Sequence, residues 1–192
     1  PERTSFDGLV GSQSVDTDGD VEMNGVALSL DGRVGGDAVL NGAAVEVDAR
    51  IGGDLETNGG VAEVHATVAG RTLINAGAVE LSGTFQGPVE VNAGAAELDG
   101  VFVQALQIAA GSLSFDGEAQ APVAINGAGR NRTWLGRARP DESRVVISGA
   151  LLQGGRICAH EVRFETGAAL GARVQVIADY PPAYAEGVDS TL

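Results

Sequence analysis

The sequence predicts an all-β fold, a single-stranded parallel β-helix of stacked triangular coils. Three observations carry that reading: one column of asparagines on a 17-residue spacing, apolar residues alternating within the same frame, and a composition suited to a narrow core. Cuts at Val21, Ala38, Leu55, Thr72, Val89, Leu106 and Val123 divide the chain into ungapped blocks of equal length. The fourth position of the blocks is Asn24, Asn41, Asn58, Asn75, Asn92, Ala109 and Asn126. The chain has seven Asn, and six of them fall in this column, so the frame is not a coincidence.

Each coil then follows from its columns. Positions 1 and 3 (Met23, Leu40, Ile74, Val91) give one short strand with alternate side chains inward. Positions 8 and 10, such as Val45 with Val47 and Val79 with Leu81, give a second. Position 14 (Val34, Ile51, Val68, Phe85, Phe102) gives a third, and Gly36, Gly53, Gly70 and Gly87 follow at position 16. Three short strands in each block describe a three-sided coil. The Asn column is expected at a corner, where Asn tolerates a left-handed backbone and stacked amides form a hydrogen-bonded ladder. Six coils at about 4.8 Å each make a rod of roughly 30 Å.

Composition agrees with a thin interior. Hydrophobic residues make up 44% of the 192, yet aromatics are only 4% and Gly numbers 29, so Ala, Val and Leu must fill the core. Prolines number 6, too few for a Pro/Gly-rich disordered chain. The net charge is −14 and all 12 basic residues are Arg, so the chain has no general attraction to a phosphate backbone, and nucleic acid is not an expected partner. No apolar run is long enough to span a membrane. One cysteine, Cys158, excludes an internal disulfide and is expected as an inert core thiol between Ile157 and Ala159.

The organisation divides as follows. Residues 1–20 match the repeat weakly and are expected as a lead-in segment or cap. Residues 21–179 form the β-helix domain, with regular coils over 21–127, an inserted loop over 128–145 and final coils over 146–179. Residues 180–192, with Tyr180-Pro181-Pro182, are expected as a tail.

The Gly-Gly-Asp coil ends (Gly35-Gly36-Asp37, Gly52-Gly53-Asp54) and the closing stretch Val145-Val146-Ile147-Ser148-Gly149, Val162-Arg163-Phe164-Glu165-Thr166-Gly167 and Gly171-Ala172-Arg173-Val174 resemble the bactofilin family of polymer-forming cytoskeletal proteins. The resemblance covers most of residues 19–179. It implies a right-handed triangular β-helix that assembles end to end without nucleotide, a structural element of the bacterial cytoskeleton or cell envelope.

Candidate functional residues are few. The inserted loop gathers Arg130, Arg132, Arg137 and Arg139, with Arg144 beside them, around the only tryptophan, Trp134, and so is the candidate interaction loop. Glu46, Glu63, Glu80 and Glu97 form an outward column at position 9, and Asp31, Asp48, Asp99 and Asp116 a second at position 11. They read as a solvated face that keeps rods apart, with a stripe for hard cations as the alternative. The only histidines, His65 and His160, lie about five coils apart, too far for a shared metal or a nucleophile relay. No catalytic site, cofactor or metal is therefore expected. Self-association end to end is the favoured interaction, and a cell-envelope binding module or adhesin is the alternative. The compartment is expected to be the envelope or periplasm if an upstream signal was removed, otherwise the cytoplasm.

Overall fold

Residues 3–127, 143–171 and 173–188 are described by the computed structural model. Every strand pairing among them is parallel, and the strands join into one continuous sheet wound as a β-solenoid of about 10 turns. Six long strands open the chain: β1 (Arg3–Thr17), β2 (Asp20–Val34), β3 (Ala38–Ile51), β4 (Leu55–Val68), β5 (Thr72–Phe85) and β6 (Val89–Phe102). Shorter ones follow: β7 (Leu106–Phe115), β8 (Glu118–Ala119), β9 (Val123–Asn126), β10 (Arg144–Ile147), β11 (Ala150–Leu151), β12 (Gly155–Ala159), β13 (Glu161–Phe164), β14 (Ala169–Leu170), β15 (Val174–Ala178) and β16 (Ala183–Tyr184).

From β1 to β9 the register is the 17-residue frame, and in the last coils it widens, with Gly155 on Val174. Val21 pairs with Ala38, Leu55 with Thr72, and Glu80 with Glu97. Because like columns stack on like, one alternation sets the whole core. In β3, Ala38, Leu40, Val45, Val47, Ala49 and Ile51 are buried while the residues between them are not. The alternation lapses at positions 4 to 7, where four residues in a row are exposed or half-buried. Phe85, Phe102 and Phe115 form a short aromatic stack inside the core, with centroids 5.4 and 6.0 Å apart.

Several expectations need correction. Residues 3–17 are not a separate lead-in or cap: β1 pairs with β2 in the same frame, Thr4 with Val21 and Asp7 with Asn24. The pattern is weak there because an end coil has a neighbour on one side only, so Thr4 and Gln13 can occupy core columns half-buried. The inserted loop is shorter than expected. An uninterrupted frame would set Arg144 on Gly127, but it pairs with Ser112, and the offset between those two partners equals the stretch 128–142. Arg144 thus starts β10 and pairs with Glu161 one coil on, Nε to Oε2 3.2 Å. Arg130, Arg132, Trp134, Arg137 and Arg139 lie outside the described residues. Cys158 is not a core thiol. Ile157 and Ala159 point inward on either side of it, so alternation turns Cys158 outward, half-buried. The segment after Ala178 is partly a further coil, since Ala183–Tyr184 pairs with Arg163–Phe164.

Candidate functional site

The side chains that could act on anything are arranged as lines along the rod. The first line is the Asn column. Asn41 donates its Nδ2 to Asn24 Oδ1 (3.0 Å), Asn58 to Asn41 (3.0 Å), Asn75 to Asn58 (2.9 Å) and Asn92 to Asn75 (3.0 Å). At the bottom Asn24 donates to Asp7 Oδ1 (3.0 Å), so an aspartate supplies the terminal acceptor. The second amide hydrogen goes to a glutamate two residues earlier in alternate coils, Asn58 to Glu56 (3.0 Å) and Asn92 to Glu90 (3.3 Å). The Asn residues lie inside unbroken strands and pair in register, so the ladder runs through extended chain and not through a left-handed turn. Asn126 is not in the ladder. Ala109 stands between it and Asn92, and the Asn126 side chain is exposed.

A second line explains the Gly-Gly-Asp coil ends. Asp20 Oδ1 accepts the backbone N–H of Asp37 (3.0 Å), Asp37 that of Asp54 (2.8 Å), and Asp54 that of Arg71 (2.7 Å). Each carboxylate bonds the amide one coil above it, where the chain turns and strand pairing lapses. The glycine just before that amide is obligatory for the same reason. A Cβ on Gly36, Gly53 or Gly70 would meet the oxygen of Asp20, Asp37 or Asp54. Sequence reasoning missed this coupling of Gly to the preceding coil's Asp, although the recurring Gly-Asp pair signals it.

The third line is acidic. Glu46, Glu63, Glu80 and Glu97 pair rung on rung and are all exposed. Like charges at this spacing repel by about 1 kcal/mol per pair in water. Beside them run Ala44, Val61, Ala78 and Ala95, also outward, which leaves a shallow groove of about 460 Å³ along Glu63, Glu80 and Glu97. Among the described residues, no group of three His, Cys, Asp or Glu side chains is placed to hold a metal ion. His65 is exposed and shares a hydrogen bond with Ser82 Oγ. His160 pairs with Asp179 (Nδ1 to Oδ2 2.8 Å) and takes Tyr180 edge-on at 5.0 Å.

The two ends differ. At the C-terminal end Tyr184 stacks on Phe164 (5.1 Å), and Leu170, Val174, Val176 and Val188 pack against the core. At the N-terminal end, among the described residues, β1 pairs with β2 alone, on one of its edges. Phe6 and Val15 pack against the core from this end, but Leu9 and Val10 are 77% and 75% exposed.

A register of identical parallel coils with side-chain ladders along it defines a β-solenoid repeat protein. No family model, no curated protein and no solved structure matches the chain. Among the described residues no helix is long and apolar enough to cross a membrane.

Proposed function

We propose that the chain is a non-enzymatic structural rod, a right-handed β-helix of three-sided coils that acts as a polymer-forming or scaffold element of the bacterial cytoskeleton or cell envelope. The observation that carries this reading is the edge of β1 that has no strand partner among the described residues. A strand of 15 residues paired on one side presents a row of backbone donors and acceptors, which is a template for a further strand. Exposed Leu9 and Val10 on that strand favour a contact that removes them from water. At the C-terminal end β14, β15 and β16 also pair on one side only among the described residues, but they are strands of two to five residues. Contact through the longer edge of β1 is therefore favoured, and the expected species is a dimer or short filament indifferent to nucleotide. The non-enzymatic part of the reading is supported by titratable groups that run in columns instead of converging.

The test is light scattering and negative-stain microscopy over a range of concentrations, on the wild type and on Leu9→Lys/Val10→Lys. The wild type should assemble, and the double variant should be monomeric with an unchanged melting temperature. A wild type that stays monomeric at the highest concentration defeats the reading. A second reading, an envelope binding module, is favoured by the acidic groove along Glu63, Glu80 and Glu97.

A further inference from the structure

The Asn ladder has a missing rung. Asn92 uses both hydrogens of Nδ2, one to Asn75 and one to Glu90, while its Oδ1 accepts no hydrogen bond among the described residues. The next rung holds Ala109 and the one after it Asn126. Ala109 brings only a methyl group to a column otherwise built from amides. The result is a depression of about 380 Å³ bounded by Asn92 and Asn126, with Glu90, Gln107 and Arg156 at its sides.

We propose that this notch is a binding site for a primary carboxamide, which completes the ladder in place of the absent side chain. The geometry follows from the rungs below. Each amide there donates N–H to the coil before it and accepts from the coil after it. Asn92 and Asn126 are two rungs apart, roughly 9.6 Å, with room for one amide between them. A carboxamide seated there gives N–H to Asn92 Oδ1 and takes N–H from Asn126 Nδ2. Its second hydrogen is on the side of Glu90 or Gln107, as the second hydrogen of Asn58 is on the side of Glu56. A carboxylate has no donor for Asn92 Oδ1 and meets Glu90 as a like charge. An ammonium group has no acceptor for Asn126. A hydroxyl also meets both ends, but only the amide brings a second N–H for the side of Glu90 or Gln107. It can come from an Asn or Gln side chain of a partner or from a small free amide. The site is separate from the N-terminal edge of β1 and does not depend on assembly.

The experiment is a titration of the full chain with propionamide and, separately, propionate, following the side-chain amide resonances of Asn92 and Asn126 by NMR. Propionamide should shift both saturably and propionate should shift neither. Ala109→Asn fills the notch with the protein's own amide, so it should keep the fold, raise the melting temperature and weaken the propionamide response by at least roughly tenfold. Asn126→Ala, at an exposed position, should weaken binding while leaving the ladder below intact. Short peptides carrying a central Gln or Glu identify the source: a Gln peptide tighter than propionamide means a partner side chain, and a weaker one means a free amide. An undiminished response in Ala109→Asn, a response to propionate alone, or no response to propionamide overturns the proposal.

Discussion

The coils over residues 20–102 keep one register throughout, whereas those over 106–178 depart from it, with Arg144 on Ser112 and Gly155 on Val174. The first set winds as unbroken strands of 14 or 15 residues. The second is divided into pieces of 10 residues down to two. The two sets also differ in the side chains that bond from coil to coil. Asn24 to Asn92 and Asp20 to Asp54 bond from coil to coil on the outside of the first set. In the second set the corresponding positions are Ala109, Asn126 and Cys158 in the Asn column, and Ala105, Pro122 and Gly154 in the Asp column. β7 still runs unbroken past Ala109, so the lost Asn rung does not by itself divide the strands. Both sets bury large side chains, Phe85 and Phe102 in the first and Phe115, Ile147 and Phe164 in the second. The first set therefore has both a filled core and side-chain bonds along its outside, and the second has the filled core without those two ladders.

The comparison can be broken where the two sets meet. Phe102 is fully buried between Phe85 and Phe115. Phe102→Ala should cost about 3–5 kcal/mol in denaturant unfolding. A loss as small as that of a surface change would show that the aromatic stack does not join the halves.

The outside of the first set is tested next. Gly53→Ala places a methyl group on the Asp37 carboxylate and the Gly36 backbone, so it should cost about 2–4 kcal/mol. Asn58→Leu removes the bonds to Asn41, Asn75 and Glu56 and should cost about 2–3 kcal/mol. Glu63→Gln on the exposed face should stay within about 0.5 kcal/mol. Equal melting temperatures for the Asn58 and Glu63 variants would remove the ladder from the account of stability.

A stabilising change sharpens the contrast from within. Thr57 and Thr72 are fully buried in core columns, and neither hydroxyl has a protein partner among the described residues. Thr72→Val keeps the shape and removes the polar atom, so it should raise stability by about 1 kcal/mol. A loss on calorimetry would mean that the hydroxyl is satisfied in solution.

What is legible in the sequence follows from this division. A parallel in-register sheet stacks each residue on its own column, so the columns of Val, Leu and Asn can be read before any coordinates. The first coil escapes because a terminal coil buries only one side, and core positions there tolerate Thr4 and Gln13. The end of the insertion reads late, at 145 instead of 142, because Arg144 groups with the loop arginines, although Val145 and Ile147 already carry the inward alternation. Cys158 misleads because its apolar neighbours suggest a core run, whereas in a strand the flanking residues take the opposite face. The Asp-to-amide bonds depend on side-chain conformation, which no spacing reveals.

The bond from each Asp to the coil above has a consequence for how such a rod changes length. The carboxylate of one turn and the glycine of the next form a lock and its keyway, and a deletion of one residue would separate them. A whole turn copied in place, such as 38–54, carries its own key and its own keyway. Length in this part of the molecule is therefore quantised: a lineage, or an engineer, can lengthen or shorten it one full turn at a time.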